Sequence, residues 1–422
     1  MIPKNKPTYS PVYLARPRVY NKRVISTEKE RNIAMFGGSF NPPHNGHVAL
    51  ARRLREEFSL SRVLFVVTCD PPHKRVAGDV DAAARLALTR AALEGMDGLE
   101  ASDIEVRRGG RSYTIDTLRE LRALYPGAKL HLLMGEDMLE NLPQWRDPEG
   151  IVELASILAL SRPGAAEDIK KTAQALRARY GADIRVSEFE GPDISSTDVR
   201  ARVFGAKPIS ALVPCGTEKL IYEEGLYQPW EITEALSKLR AALAPQRYLH
   251  SVGTMRCAIE LADRFGFDTK KARLAGLLHD CAKLPGEKLL ELSGRYGIET
   301  DAYDRKNPGL LHDRVGACYA REEYGITDAE ILTAIGCHTR GEAGMNAFSR
   351  LVYLADKIEP MRDYPGVEEI RRVAQKDMDR AALMSMQSVL AHLNEKKMSV
   401  QPNLYEAIEE LKQIIKSKED MH

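Results

Sequence analysis

Gly37-Gly38-Ser39-Phe40-Asn41-Pro42-Pro43-His44-Asn45-Gly46-His47 follows a short apolar run, Asn32 to Phe36, and leads into a helical stretch, Gly46 to Glu57. Strand, glycine turn, helix is the order that decides how the first half is read. Glycines after a strand let the backbone approach a phosphate closely. A helix start favours anions through its free amides and its dipole. Working outward, strand-like segments are Val63 to Thr68, Ile104 to Val106, Leu130 to Met134, Ile157 to Leu160 and Ile184 to Val186. Helical segments, Ala82 to Leu93 and Thr114 to Leu124, lie between them. This alternation predicts an α/β domain, Rossmann-like, with a parallel sheet covered by helices on both faces. Ligands of such sheets bind at the carboxyl ends of strands, where the polar motifs of this half fall.

After Tyr227 the pattern changes, and Gln228-Pro229-Trp230 reads as a minimal linker. From Glu231 onward the periods are helical: Ile232–Leu243, Val252–Arg264, Lys270–Ala282, Val315–Tyr324, Asp328–Gly336, Phe348–Ile358, Val367–Leu390 and Leu404–Lys416. The expected organisation is a basic extension over 1–31, an α/β domain over 32–228 and an all-α domain over 231–420.

The chain has 422 residues, 44% hydrophobic and 29% charged, with a net charge of +1. That length supports two or three domains with real cores. The balanced charge argues against nucleic acid as a partner. Residues 1–31 carry eight Lys/Arg against two Glu, without apolar periodicity, and read as a loosely attached basic tail. They lack the apolar core of a secretory signal. No stretch approaches the roughly 20 apolar residues that span a bilayer. The six cysteines, Cys69, Cys215, Cys257, Cys281, Cys318 and Cys337, form no C-x-x-C pair. They read as free thiols of a reducing compartment, and a cytoplasmic protein is expected.

His44 and His47 are three residues apart across the helix start, so they can face one cleft. As donors they can stabilise charge building on a transferring phosphoryl group. Around them the chain carries further motifs in series: Pro71-Pro72-His73-Lys74, Ser112-Tyr113-Thr114-Ile115-Asp116-Thr117, Gly135-Glu136-Asp137, Trp145, Arg162-Pro163-Gly164, Ile194-Ser195-Ser196-Thr197 with Arg200, and Leu212-Val213-Pro214 through Tyr222 to Gly225-Leu226-Tyr227. On these motifs residues 32–228 resemble bacterial nicotinate-nucleotide adenylyltransferases of the HxGH nucleotidyltransferases.

The resemblance implies that nicotinate mononucleotide attacks the α-phosphorus of ATP, with Mg²⁺ on the triphosphate and pyrophosphate leaving. It implies a nucleotide site built from Gly37, Gly38, Ser39, Phe40, Gly135, Arg162 and Ile194. His44 and His47 would hold phosphates and stabilise the transition state. Lys74 and Arg200 would add positive charge, and Ser196 and Thr197 hydrogen bonds. Asp137 would bond a ribose hydroxyl, Trp145 would stack on the pyridine ring, and the Thr114 region would read its carboxylate. Glu136 departs from the family, which favours a small residue there.

The second half carries His250, His279-Asp280, His312, His338 and Asp356. His and Asp are ligands for Mn, Fe, Zn or Mg, depending on the balance of nitrogen and oxygen. The His279-Asp280 pair lies within the apolar stretch Leu274–Leu284, and burying two titratable groups is costly unless they are bonded or bind metal. Facing helices can converge such side chains on one point, and paired metals can activate water and neutralise a phosphate leaving group.

The fuller pattern is Arg247-Tyr248-Leu249-His250-Ser251, Gly276-Leu277-Leu278-His279-Asp280 with Lys283, Leu311-His312, Cys337-His338-Thr339-Arg340-Gly341, and Leu354-Ala355-Asp356-Lys357-Ile358-Glu359-Pro360 with Arg362. It resembles the HD superfamily, specifically the YqeK-type diadenosine tetraphosphate hydrolases. The resemblance implies that the six His and Asp residues hold two divalent metals, iron or else Mn or Mg. Asp280 is expected to be catalytic, and Lys283 and Arg362 to contact phosphate. Arg340 replaces a more usual Thr, and either adds a phosphate contact or faces solvent.

The expected protein is thus a bifunctional enzyme. It makes deamido-NAD and cleaves diadenosine tetraphosphate symmetrically to two ADP. Its partners would be ATP, nicotinate mononucleotide, diadenosine tetraphosphate and related dinucleotides, with homo-oligomerisation left open and neither nucleic acid nor membrane involved. Two alternatives stay open: a helical domain that senses nucleotide or metal, and a different acceptor such as nicotinamide mononucleotide or phosphopantetheine.

Overall fold

The computed structural model describes residues 32–71, 80–160, 166–189 and 191–420. They divide into two compact units: the described part of Met1–Ala201 with Ile209–Tyr227, and Arg202–Pro208 with the described part of Gln228–His422.

The first unit is built on a sheet of six parallel strands in the order β3-β2-β1-β4-β5-β6. These are β1 (Asn32–Gly38), β2 (Arg62–Val67), β3 (Leu99–Ser102), β4 (Lys129–Gly135), β5 (Ala155–Leu160) and β6 (Ile184–Ser187). The helices between and after them are α1 (Asn45–Glu57), α2 (Ala82–Ala92), α3 (Ile104–Arg108), α4 (Thr114–Leu124), α5 (Glu136–Asn141), α6 (Pro148–Leu154), α7 (Ala166–Tyr180), α8 (Ser196–Phe204) and α9 (Cys215–Glu223).

Strand side chains alternate between faces. Ala34, Phe36, Val63, Phe65 and Val67 pack with Val48, Ala51, Leu54 and Leu86 of α1 and α2. Ile33, Met35, Leu64, Val66, Leu130 and Leu132 pack on the other face with Ile115, Leu118, Ile151 and Ile169. Both faces are covered, which is why these strands read as continuous apolar runs. The order reverses between β1 and β4, so the crevice where such sheets bind ligands lies at the carboxyl ends of those two strands.

Ile104 to Val106, expected as a strand, is the short helix α3. Three residues hold too little of either period to decide. Glu105 in the first turn and Arg107 and Arg108 in the last complement a helix dipole. The strand lies just before it, at Leu99–Ser102, on the sheet edge with a single buried residue.

The second unit is helical: α10 (Trp230–Ala242), α11 (Pro245–Phe265), α12 (Thr269–Leu278), α13 (Gly286–Arg295), α14 (Ala302–Lys306), α15 (His312–Tyr324), α16 (Ala329–Cys337), α17 (Ala347–Ile358), α18 (Val367–Ala374), α19 (Met378–Glu395) and α20 (Pro402–Glu419). The stretch Val367–Leu390, expected as one helix, is two. Asp377 accepts from the Arg380 amide at 2.9 Å and restarts the helix as an N-cap. α11 and α12 touch backbone to backbone. A Cβ on Gly276 would lie 2.9 Å from Met255 Cα and 3.0 Å from the Thr254 carbonyl oxygen, so only glycine permits this approach. No helix among the described residues is long and apolar enough to cross a membrane.

Candidate functional site

In the first unit, β1 delivers the loop 39–44 to the reversal point. His44 caps α1 and His47 follows within the first turn. Their ring centroids are 3.6 Å apart at 33°, and the His44 amide donates to His47 Nδ1 at 3.2 Å. A ring nitrogen that accepts carries no proton, so neutral His47 holds its proton on Nε2. Burial lowers the His44 imidazole to about 4. Burial, with His44 as neighbour, holds His47 well below its ordinary value. Both rings are therefore neutral at pH 7, each presenting an N–H at the amide end of a helix.

Side chains from distant parts of the unit hold this loop. Ser196 Oγ donates to the Pro42 carbonyl at 2.8 Å. Arg200 donates to the Asn41 carbonyl at 2.7 Å and to Thr197 Oγ1 at 3.1 Å. The Tyr227 hydroxyl donates to Asn41 Oδ1 at 2.7 Å. Arg85 of α2, only 1% exposed, donates to the Ser39 carbonyl at 2.8 Å and to the Cys69 carbonyl at 3.2 Å. Phe40 is buried against Phe36 and Phe65, with centroids 5.4 and 5.2 Å away, and anchors the loop in the core.

In the second unit, His250 on α11, His279 and Asp280 after α12, His312 at the start of α15, His338 after α16 and Asp356 on α17 are all buried. His250 Nε2 is 3.1 Å from His279 Nε2 and 3.0 Å from Asp356 Oδ1. Asp280 bridges the group: Oδ2 is 3.6 Å from His279 Nε2, while Oδ1 is 3.1 Å from His312 Nε2 and 3.6 Å from His338 Nε2. Within each of the triads His250/His279/Asp356 and His279/Asp280/His338 the ligand atoms lie within 4.8 Å of one another.

The second nitrogen of every ring faces outward. Nδ1 of His279, His312 and His338 meets the carbonyl three residues earlier, at Gly276 (2.8 Å), Gly309 (2.6 Å) and Ile335 (2.7 Å). Nδ1 of His250 meets Glu359 Oε1 at 3.0 Å. Those acceptors fix the proton on Nδ1 and turn four Nε2 lone pairs inward. Burial lowers His279 to about 3 and so keeps it neutral. Asp280 Oδ1 is buried with no hydrogen-bond donor among the described residues. Inward imidazole lone pairs around carboxylate oxygens fit divalent cations. Basic side chains border the cluster: Arg247 at 2.7 Å from Asp280 Oδ2, Lys283 at 3.0 Å from His312 Nε2, and Lys357 at 2.6 Å from Asp356 Oδ2. Arg362 also contacts Asp356.

Residues 35–202 match the cytidylyltransferase-like family, and residues 247–361 match the HD domain. The chain is 36% identical over 212 residues to a probable nicotinate-nucleotide adenylyltransferase of Citrifermentans bemidjiense, covering 46% of this chain and 97% of that protein. It is 40% identical over 173 residues to a symmetrical bis(5'-nucleosyl)-tetraphosphatase of Bacillus subtilis, covering 41% of this chain and 92% of that protein. The chain is a fusion of a nicotinate-nucleotide adenylyltransferase-family domain and an HD-family domain. Among solved structures, a Clostridium acetobutylicum protein, described as a predicted HD superfamily hydrolase involved in NAD metabolism, is similar at 39% identity, with 44% of this chain and 98% of that one covered and a TM-score of 0.43.

In the adenylyltransferase domain, Gly37 and Gly38 end β1, and Thr114 opens α4. Gly135 ends β4 beside α5, where Glu136 is buried and Asp137 is exposed. Trp145 is half-buried against the core. Ile194 lies in the segment that leads to Ser196. The extension 1–31, Lys74 and Arg162 lie outside the described residues. Arg85 was not legible as part of this site, because a lone Arg in an apolar helix shows nothing of the two carbonyls it joins. Arg85→Ala leaves both carbonyls without this donor. It is expected to destabilise the domain by about 3 kcal/mol, the cost of unsatisfied buried groups, read as a lower denaturation midpoint with an unchanged denaturant slope. The pH dependence is fixed in sign as well. Burial lowers His44, and likewise His131, to about 4 in the folded domain, against about 6.5 unfolded. As pH falls from about 6.5 towards 4, only the unfolded chain takes up these protons, so stability falls over that window. Calorimetric Tm values at several pH values check this.

In the HD domain the expected helix Lys270–Ala282 stops at Leu278. His279 therefore sits at its end, satisfying the Gly276 carbonyl that the helix leaves free. Arg340 neither faces solvent nor reaches the cluster. Its guanidinium lies 3.4 Å from Asp313 Oδ1 and 3.5 Å from Asp304 Oδ1, both buried acids, because a buried guanidinium needs paired charge. Glu359, Arg247 and Lys357 stood in the quoted motifs without a role, since their contacts cross between helices.

Proposed function

We propose that the first domain transfers AMP from ATP to nicotinate mononucleotide. The observation that carries this reading is the close pair of neutral imidazoles, His44 buried and His47 half-buried, at the amide end of α1. A phosphate oxygen of nicotinate mononucleotide forms a bond to the α-phosphorus. The α–β phosphoanhydride breaks, and pyrophosphate leaves with the electron pair. His44 and His47 donate N–H groups to the phosphate oxygens as charge develops, an effect that is large where donors are pre-positioned. Ser196, Arg200 and Arg85 keep the loop in place through its carbonyls. Lys74 adds positive charge, Asp137 bonds the ribose, and Trp145 stacks on the pyridine ring. Mg²⁺ accompanies the triphosphate as part of the substrate. Purified protein with ATP and nicotinate mononucleotide should form deamido-NAD. Product with nicotinamide mononucleotide alone would overturn the acceptor assignment.

The second domain, in the same reading, hydrolyses diadenosine tetraphosphate symmetrically. Four inward Nε2 atoms, each fixed by an outward Nδ1 contact, carry this part. His250, His279, Asp280, His312, His338 and Asp356 would hold two divalent cations, iron or else Mn or Mg. Such cations, when bound, supply water activation and charge neutralisation on phosphate. Arg247, Lys283 and Arg362 bind the polyphosphate. Water adds to an inner phosphorus, the central P–O bond breaks, and two ADP leave. Chromatography of the products decides this: two ADP support it, and AMP with ATP refutes it. Tight nucleotide binding without turnover would favour a sensor. Six unpaired cysteines accord with a cytoplasmic enzyme.

A further inference from the structure

The two cation positions of the HD domain differ in their carboxylates. His250 and His279 share Asp356, whose Oδ1 lies 3.0 and 3.7 Å from their Nε2 atoms, and they also face Asp280 Oδ2. Among the described residues, His312 and His338 have only Asp280 Oδ1, the shared ligand. Outward contacts sharpen the difference. Three rings donate to neutral backbone carbonyls. His250 alone donates to a carboxylate, Glu359, which is 1% exposed.

Glu359 is held on both oxygens. Oε1 takes His250, and Oε2 accepts the Met361 amide at 2.7 Å. A Cβ on Gly253 would lie 2.5 Å from Oε2, so α11 leaves this carboxylate its room one turn beyond His250. Cationic side chains border both positions, with Arg247, Lys357 and Arg362 near the first and Lys283 near the second. Three against one, they act against a cation at the first position, so the inequality argued here rests on the carboxylates.

We propose that Glu359 is a positioning residue that makes the two cation positions unequal, so that the His250/His279/Asp356 position fills first and the His312/His338 position is the exchangeable one. A carboxylate behind a ligating imidazole fixes its ring and raises its basicity, and such partners are worth 10- to 100-fold in metal affinity. This rests on reading the cluster as a two-metal centre.

The test uses full-length protein stripped with a chelator and titrated with Mn²⁺ by calorimetry. Two classes of site, one ion each and at least about tenfold apart in Kd, are expected. Glu359→Gln should weaken the tight class by about 10- to 100-fold and leave the weak class in place. His312→Ala should remove the weak class alone, which reads the assignment without touching Glu359. Two equal classes, or loss of the tight class in His312→Ala, would overturn the inference while leaving the two-metal reading intact. No Mn²⁺ binding at all would overturn both.

Discussion

Replacing His279 with alanine is expected to lower hydrolysis of diadenosine tetraphosphate by on the order of 10³-fold, because the proposed centre then loses a direct ligand where even an outer partner is worth 10- to 100-fold. His279 has no exposed surface, and its Nε2 faces His250, Asp280 and Asp356. Removing it opens the centre of the cluster and frees the Gly276 carbonyl. Formation of deamido-NAD by the same preparation should stay within about twofold, since the partners of His279 named here all belong to the HD domain. Both rates are read on one sample, so the transferase reports that the first domain is folded, and circular dichroism of the same sample reports the helices of the second. Hydrolysis that survives the substitution would sink the assignment of this cluster as the hydrolytic centre.

Replacing His44 with alanine should cost the transferase about 10²- to 10³-fold in kcat, the usual effect of removing one donor to a developing oxyanion. KM for ATP should move less, because the interaction is strongest in the transition state. In the proposed mechanism the imidazole is a neutral donor, with burial lowering it to about 4. The wild-type rate should therefore show no histidine titration between about pH 6 and 8, where an ordinary imidazole near 6.5 would change charge. A pH–rate profile that breaks near 6.5 and loses that break in His44→Ala would show that a protonated ring does the work, and would refute the neutral-donor mechanism. Equal kcat in the two proteins would remove His44 from the reaction altogether.

Local chemistry made much of the fold and the candidate sites legible. The strands of the first domain announce themselves as apolar runs because helices cover both sheet faces. The six His and Asp residues stand out because burying titratable groups without partners is costly, and the structure brings all six together. What stayed hidden depends on long-range contact. The edge strand β3 buries one residue and has no clear period. Arg85 matters through carbonyls 46 and 16 residues away in sequence. Glu359 acts on His250 across 109 residues. Arg340 suggests a phosphate contact until Asp304 and Asp313 are seen to take up its charge.

Three of the four histidines in the cluster share one local device: a ring just past a helical turn whose Nδ1 satisfies the carbonyl three residues back. Each takes that acceptor from its own short peptide, although Lys283 and Thr339 also meet His312 Nε2, at 3.0 and 3.1 Å. That makes the device portable. A designer can append histidine to the end of a helix and inherit both ring orientation and tautomer from the helix's spare acceptor. His250, set within α11 and dependent on a partner from another part of the chain, cannot be transplanted in this way, and any engineered copy of this centre must import Glu359 with it.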